Sequence, residues 1–194
     1  MKRLVLSCLM SAAICVPALA ALKQGDAAPD FSAQASLAGK EFKFSLKDAL
    51  KKGPVVVYFY PSAYTQGCNV QARTFSVNQE KFAAAGATVV GVSLDSITRL
   101  NQFSADPEYC AGKFPVASDA DGAIAKSFDL NVRQVQGIKD TKGQTVDHGL
   151  AERTTFVLTK DGKIAATIGG MKPDENVMKA LEVVQSIAGK KPNA

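Results

Sequence analysis

The chain has 194 residues, of which 46% are hydrophobic and 21% charged, which is enough for one ordinary core and hardly for two domains. Its formal net charge of +5 is mildly basic and no run of five like charges occurs, so nucleic-acid binding is not supported. The sequence contains no internal repeat or low-complexity block, and it therefore predicts a single globular domain.

The first twenty residues have the pattern of a secretory signal peptide. A basic start, MKR, precedes the apolar stretch LVLSCLMSAAICV, and the small residues ALA end at position 20. The apolar stretch is short for a membrane span, so we favour cleavage after Ala20 over an uncleaved membrane anchor. We therefore expect a mature domain at 21–194 that is exported across the inner membrane to the periplasm and is not bound to the membrane.

Cleavage of this segment leaves two of the four cysteines. Cys8 and Cys15 lie inside the predicted signal peptide, whereas Cys68 and Cys110 lie in the mature domain. Two cysteines are too few to staple a domain of this size, although an oxidising compartment allows a disulfide between them. Their role is therefore either chemical or, for one of them, that of a small buried side chain.

The first elements are predicted from apolar periodicity and turn residues. Residues 26–44 favour a pair of strands, and a short helix at about 46–52 follows with Ser45 as its cap. The run VVVYFY at 55–60 is continuously β-branched and aromatic, which is typical of a central strand buried on both faces. Pro61 ends this strand.

A helical period begins at Cys68, and three apolar residues share one face of the predicted helix: Ala72, Phe75 and Phe82. A second buried strand is predicted at 87–95, ATVVGVSLD. Together these segments place a cysteine at the junction between the first buried strand and the helix that follows it.

Shorter elements come next. A helix is predicted from Ser96, and Asp106 followed by Pro107 is typical of a new helix start. KFPVASD at 113–119 favours an edge-like strand, and GAIAKSF at 122–128 favours a short helix.

The last third contains a polar loop, a hairpin and a helix. Residues 129–152 favour an extended loop with no recognisable chemistry. Two strands, 154–159 and 163–169, flank an Asp-Gly turn, and a helix is predicted at about 174–188. Strands that alternate with helices and then end in a hairpin and a helix predict an α/β fold with a mixed sheet between helical layers. This element order is that of a thioredoxin-like fold.

Cys68 has the surroundings that a reactive thiol needs. Only the thiolate attacks, and the free N–H groups of a first helical turn stabilise an anion. Gly67 permits close backbone approach, and Thr65 offers a hydroxyl. The chain has one histidine, His148 in the polar loop, so a Cys–His nucleophile pair is the less favoured hypothesis.

PSAYTQGC, residues 61–68, resembles the Pro-x-x-x-Thr-x-x-Cys signature of the peroxiredoxins (the AhpC/TSA superfamily). ERTTFVLTKDGKI, residues 152–164, is similar to that family's Arg-x-Thr-Phe strand and hairpin, and APDF is similar to its opening. The resemblance covers residues 24–188 and is closest to the Q-type, bacterioferritin-comigratory-protein-like subgroup.

The resemblance implies a thiol-dependent peroxidase that reduces hydrogen peroxide and organic hydroperoxides. Cys68 would be the peroxidatic nucleophile, which becomes a sulfenic acid. Thr65 would hydrogen-bond the sulfur and the peroxide oxygens, Arg153 would stabilise the thiolate and the transition state, and Pro61 would shield the thiolate. The alternative for Arg153 is a structural salt bridge. No metal, flavin or nucleotide motif is present in the sequence, so no cofactor is expected.

Resolution of the sulfenic acid is less well defined by the resemblance. Arg73 occupies the position where many Q-type members carry a resolving cysteine, which leaves Cys110 as the internal candidate. A Cys68–Cys110 disulfide would require local unwinding, because disulfide geometry limits the Cα separation to about 7 Å. Otherwise Cys110 is a buried small residue and the enzyme has one active cysteine. Either form would be recycled by an external thiol reductant, such as a thioredoxin-like or glutaredoxin-like protein, and would be a monomer or homodimer.

Three other functions fit the sequence less well. A thioredoxin-like thiol-disulfide oxidoreductase or electron carrier of the cell envelope needs Cys-x-x-Cys, and Thr65 occupies the first cysteine position. A copper-delivery protein needs paired soft ligands, and the loop supplies one cysteine. A redox-inactive relative or holdase is disfavoured because Pro61, Thr65, Cys68 and Arg153 are all present.

Overall fold

A seven-stranded mixed β-sheet forms the centre of the computed structural model, which describes residues 21–189. The strands are β1 (Ser32–Leu37), β2 (Lys40–Ser45), β3 (Val55–Phe59), β4 (Thr88–Ser93), β5 (Val116–Ser118), β6 (Val132–Arg133), β7 (Leu150–Ala151), β8 (Thr154–Leu158) and β9 (Ile164–Gly169). The helices are α1 (Leu46–Lys52), α2 (Gln66–Ala84), α3 (Ile97–Ala105), α4 (Ala123–Ser127) and α5 (Pro173–Gly189). The predicted signal peptide, with its two cysteines, lies outside the described residues.

The order of strands across the sheet is β2-β1-β5-β4-β3-β8-β9, and β6 pairs with β7 in a separate two-stranded sheet. β3 pairs in parallel with β4 and antiparallel with β8, and all five of its residues are buried. The prediction of a central strand covered on both faces is therefore confirmed, as is the thioredoxin-like α/β fold.

The sheet separates two apolar clusters. One cluster lies between the sheet and α2, α3 and α5, and it contains the predicted inward residues Ala72, Phe75 and Phe82. The other lies against α1 and α4 on the opposite face and contains Phe59 and Phe128. Cys68 and Cys110 both belong to the first cluster, so both thiols lie on the side of the sheet that α2, α3 and α5 cover.

Two predicted elements differ from the structure. The helix expected to start at Asp106 is a series of turns, because the left-handed backbone of Ala111 and Gly112, with φ of 51° and 65°, prevents a second helical turn. The strand expected at an edge of the sheet, β5, instead lies between β1 and β4. Pro115 precedes that strand, so its missing N–H falls outside the ladder and does not exclude an interior position.

The polar segment at 129–152 is more ordered than a simple extended loop. It contains both β6 and β7, and a bridge between Lys139 and Thr145 closes a small hairpin within it. None of the helices described between residues 21 and 189 is long and apolar enough to cross a membrane.

Candidate active site

Cys68 lies in the first turn of α2, immediately after the turn that follows β3. The helix starts at Gln66 with Thr65 as its N-cap, two residues earlier than the helical period indicated. The Cys68 side chain is 2% exposed, and the first turn of the helix contains no acidic residue. The unpaired N–H groups of that turn and the positive end of the helix dipole therefore act on a sulfur that is shielded from bulk water.

Arg153 reaches this sulfur from the segment between β7 and β8. Its Nη2 donates to Cys68 Sγ at 3.3 Å, and its Nη1 donates to the side-chain oxygen of Gln71. Neither partner is a carboxylate, so the contacts differ from those of a structural salt bridge. A Cβ atom at Gly67 would lie 3.0 Å from Nη2, so the glycine leaves the space through which the guanidinium approaches.

A buried chain of amides holds Arg153 in place. Gln71 Nε2 donates to Asn176 Oδ1 at 3.0 Å, and Thr155 Oγ1 donates to the same oxygen at 2.6 Å. Asn176 Nδ2 donates to the Ile168 carbonyl at 2.9 Å, which satisfies the remaining polar group of that amide. α2, α5 and β8 therefore all contribute to the position of one guanidinium.

Thr65 and Pro61 lie at the two ends of the turn before the helix, and both are half-buried. The Thr65 hydroxyl donates to the Ser62 carbonyl at 2.8 Å. Its hydrogen is therefore committed to the turn, while the lone pairs of its oxygen are left to accept a hydrogen bond from a peroxide. The contact between Thr65 and the sulfur, and the shielding by Pro61, stay predictions.

The hairpin at 138–146, here called the clasp, closes over Tyr64 in this turn. The backbone N and the Oγ1 of Thr141 both donate to the Tyr64 carbonyl, at 2.9 and 2.7 Å. Asn69 Nδ2 donates to the same Thr141 hydroxyl at 3.3 Å, and Lys142 Nζ lies 3.6 Å from the centroid of the Tyr64 ring. Tyr64 has a φ of 62°, an unfavourable value for a tyrosine that these contacts help to maintain.

Cys110 is fully buried, and both it and Cys68 are free thiols in this structure. Burial raises the pKa of the Cys110 thiol well above its ordinary value, with a smaller contribution from Asp106, so this thiol is protonated. Tyr109, its chain neighbour, packs edge-on against Tyr64 with 5.7 Å between ring centroids. The surroundings of the two cysteines are thus in direct aromatic contact.

The Cys–His pair is not supported by the geometry. The two ring nitrogens of His148 face Asp95 and the Gly149 carbonyl, and a longer contact of 3.3 Å joins Nε2 to the Ser62 hydroxyl. Within residues 21–189, no group of three or more His, Cys, Asp or Glu side chains is arranged to hold a metal ion.

Comparison with known proteins agrees with this geometry. The model of the AhpC/TSA family matches residues 24–167, with Cys68 and Arg153 inside the matched segment. The chain belongs to this peroxiredoxin family. Peroxiredoxin Bcp of Escherichia coli K12 is 36% identical to this peroxiredoxin over 143 residues, which are 74% of this chain and 83% of that protein.

Solved structures give the same assignment. Peroxidoxin BcpB from Mycobacterium tuberculosis superposes with a TM-score of 0.71 at 30% identity, covering 86% of this chain and 98% of its own. The bacterioferritin comigratory protein of Xanthomonas campestris, whose structure concerns alkyl peroxide reduction, superposes with a TM-score of 0.62 at 30% identity, covering 80% of this chain and 91% of its own. The predicted subgroup is confirmed, and the protein is a thiol-dependent peroxidase.

Several residues of the site were not predicted from the sequence. Gln71 and Asn176 are polar positions beside the apolar residues Ala72 and Val177 of their helices, and that break in pattern is the signal that could have found them. Thr141 gives no comparable signal, because it lies in a polar segment where a threonine is unremarkable.

Proposed function

We propose that Cys68 is the peroxidatic cysteine of this peroxidase and reduces both hydrogen peroxide and organic hydroperoxides. The thiolate sulfur attacks one peroxide oxygen, an S–O bond forms, and the O–O bond breaks. The other oxygen leaves with the electron pair and takes a proton to give water or an alcohol. Cys68 is left as a sulfenic acid, the first oxidation state on the cysteine ladder.

The contact between Arg153 Nη2 and Cys68 Sγ carries this proposal. The guanidinium is permanently charged and points at the sulfur together with the first-turn N–H groups of α2. In the attack, negative charge moves from the sulfur to the departing oxygen. Fixed donors around that line stabilise the transition state without having to reorganise during the reaction.

In this proposal Thr65 and Pro61 shape the space in which the peroxide lies. The Thr65 oxygen accepts the O–H of the incoming peroxide, because its own hydrogen is already donated to Ser62. Pro61 presents a ring without an N–H donor on the half-buried side of the turn. An organic hydroperoxide has the same reacting O–O group as hydrogen peroxide, so both classes use the same donors.

The test is peroxide consumption by the mature chain, residues 21–194, with dithiothreitol as reductant. The wild type is expected to consume hydrogen peroxide and cumene hydroperoxide, and Cys68→Ser is expected to abolish both reactions. Cys110→Ser is the comparison variant: Cys68 is still oxidised by peroxide in it, and dithiothreitol reduces the sulfenic acid directly when the Cys110 thiol is absent. Turnover that persists in Cys68→Ser overturns the assignment of the nucleophile.

We further propose that Cys110 resolves the Cys68 sulfenic acid to an intramolecular disulfide with release of water. Its support is the packing of both cysteines in one cluster and the Tyr64–Tyr109 contact between their neighbours. Burial keeps the Cys110 thiol protonated in the conformation described here. In this proposal the turn before α2 opens, which exposes Cys110 and allows the two sulfurs to meet. A nonreduced digest after one equivalent of peroxide is expected to contain a Cys68–Cys110 peptide pair. A digest with only sulfenic or sulfinic Cys68 contradicts this step.

The compartment and the reductant are also proposals. We propose that residues 1–20 direct export to the periplasm, where a thioredoxin-like or glutaredoxin-like protein returns the enzyme to its thiol form. Protein recovered from the periplasmic fraction is expected to begin at Ala21. An N-terminus at Met1, or recovery only from the cytoplasm, contradicts the proposed export.

A further inference from the structure

A buried carboxylate, Asp95, lies directly after β4 and is fully shielded from solvent. Its two oxygens form hydrogen bonds with four groups: Ser62 Oγ at 2.9 Å, Ala63 N at 2.8 Å, Ser93 Oγ at 2.7 Å and His148 Nε2 at 2.9 Å. The Arg99 guanidinium forms an ion pair with the same carboxylate, with 3.0 Å between Nε and Oδ1. Burial alone would raise the pKa of Asp95, but the hydrogen bonds from His148, Ala63 and Ser93 hold it below its ordinary value. Asp95 is therefore a buried anion that is stabilised by groups from several parts of the chain.

The hydrogen-bond geometry determines the protonation state of His148. Its Nδ1 lies 2.8 Å from the Gly149 carbonyl oxygen and its Nε2 lies 2.9 Å from Asp95 Oδ1. A carbonyl and an ionised carboxylate only accept hydrogen bonds, so both contacts are hydrogen bonds when each ring nitrogen carries a hydrogen. The arrangement therefore favours the imidazolium. Burial lowers the pKa of His148, but the hydrogen bonds to Asp95 and Gly149 outweigh it and raise the pKa overall.

Other charged groups surround the ring. Arg99, from α3, forms ion pairs with Asp95 and with Asp140 of the clasp, the latter at 2.5 Å. Burial alone would raise the pKa of Asp140. Hydrogen bonds from Arg99 and from backbone N–H groups lower this pKa below its ordinary value. Asp147, beside His148 in the chain, adds a further negative charge that favours the imidazolium. Histidine is the residue type in this cluster whose ordinary pKa, about 6.5, lies near neutral pH.

The cluster is joined to the turn that carries Thr65. Ser62 Oγ and Ala63 N both donate to Asp95, and Arg99 Nη2 donates to the Ala63 carbonyl at 2.9 Å. The Ser62 carbonyl in turn accepts the Thr65 hydroxyl at 2.8 Å. Hydrogen bonds therefore lead without a gap from the His148 ring, through Asp95 and Ser62, to the N-cap of the helix that holds Cys68.

We propose that His148 is a positioning residue: its protonated ring, through Asp95, holds the turn at 62–65 in the geometry that orients a peroxide against Cys68. On loss of one ring proton, the hydrogen toward the charged Asp95 carboxylate is the one that is kept, and the Nδ1 lone pair then faces the Gly149 carbonyl oxygen at 2.8 Å. The repulsion is relieved by rotation of the ring, which withdraws its Nε2–H from Asp95 and so displaces Ser62 and, with it, Thr65. This inference rests on the proposed role of Cys68.

The kinetic test is the rate of Cys68 oxidation by hydrogen peroxide between about pH 5.5 and about pH 9.5, measured by rapid quenching, alkylation and mass analysis. The wild-type rate is expected to fall toward alkaline pH, by roughly tenfold, as His148 loses its proton. His148→Gln keeps a donor toward Asp95 but does not titrate, so its rate is expected to show no alkaline fall. Arg133→Gln, which removes an exposed positive charge from β6, is the matched control and is expected to retain the wild-type profile.

A second measurement uses the wild type alone. His148 is the one histidine of the sequence, so the ¹⁵N shifts of its ring in the untagged mature chain are assigned without ambiguity. Both nitrogens are expected to be protonated at pH 7, and the NMR midpoint is expected to coincide with the midpoint of the alkaline fall in rate. A neutral ring at pH 7, different midpoints, or an alkaline fall that persists in His148→Gln overturns the inference. If peroxide does not oxidise wild-type Cys68, the proposed function itself has failed, whatever the state of the ring.

Discussion

Nη2 of Arg153 lies 3.3 Å from Sγ of Cys68, although 85 residues separate them along the chain. The pairing of β3 with β8 accounts for the contact. Phe59, at the end of β3, is opposite Thr154, the first residue of β8. The segment before β8 and the turn after β3 therefore lie at the same end of two neighbouring strands. The strand register at that end brings the guanidinium to the sulfur.

Arg153→Lys is expected to slow Cys68 oxidation by roughly 100-fold, because an ammonium cannot donate to Cys68 and Gln71 at the same time in the planar arrangement of a guanidinium. The measurement is the second-order rate constant with hydrogen peroxide by rapid quenching. Arg133→Lys, at an exposed position, is the control and should match the wild type. A rate for Arg153→Lys within about threefold of the wild type contradicts the role assigned to the guanidinium.

Asn176→Ala is expected to reduce the free energy of unfolding by about 2–4 kcal/mol, because it leaves buried polar groups of Gln71, Thr155 and Ile168 without their partner. Urea denaturation of the reduced protein measures the change. Asn131→Ala removes an exposed amide of the same type and is expected to change stability by less than about 0.5 kcal/mol. Equal effects of the two substitutions would show that the buried amide chain contributes nothing specific.

Thr141→Val is expected to loosen the turn that precedes Cys68, because it removes the hydroxyl that donates to Tyr64 and accepts from Asn69. Amide hydrogen exchange at residues 62–69 should become faster by about five- to tenfold, which corresponds to one lost hydrogen bond. Thr74→Val is the control, since its hydroxyl donates within α2 to the Val70 carbonyl at 2.8 Å. Unchanged exchange at 62–69 in Thr141→Val would mean that the clasp does not restrain the turn.

Stability should also depend on pH through His148. The pKa of this histidine is raised in the folded state, so the folded protein holds the proton more tightly than the unfolded chain does. The stabilisation is fully present below the ordinary pKa of about 6.5 and is lost as the pH rises through the raised value. The difference in unfolding free energy between the wild type and His148→Gln is therefore expected to favour the wild type most at acidic pH and to shrink above neutrality. Urea titrations across that range measure it, and a difference that grows with pH would have the wrong sign.

The predictable parts of the fold are those with a local signal. The run at 55–60 has no polar residue to suggest a solvent-facing side, and it became the buried strand β3. The motif from Pro61 to Cys68 combined a strand end, a turn and a helix start in eight residues, so its location was evident from the sequence. Arg153 was predicted only through the family resemblance, because an arginine before a strand is not distinctive in itself.

The parts that were not predicted depend on long-range contacts. β5 has three residues and pairs with β1 at two register positions, so its interior location follows from strands far away in sequence. The clasp contacts the turn through Thr141 and Lys142 and contacts Arg99 through Asp140, and these three polar residues form no pattern that would distinguish them in the sequence. The segment at 106–112 begins with the capping residue of a helix. It does not continue as a helix, because the residues at its end have left-handed backbone conformations.

The central sheet divides the interior into one side that contains the two thiols and one side that contains none of the proposed site residues. Cys68, Cys110 and their aromatic neighbours occupy one side, whereas the packing of Phe59 and Phe128 occupies the other. In the proposed cycle, the turn before α2 opens so that Cys110 can meet Cys68, and the apolar layer behind the sheet is not part of that rearrangement. That layer keeps the strand register that would return Arg153 to the sulfur when the turn closes.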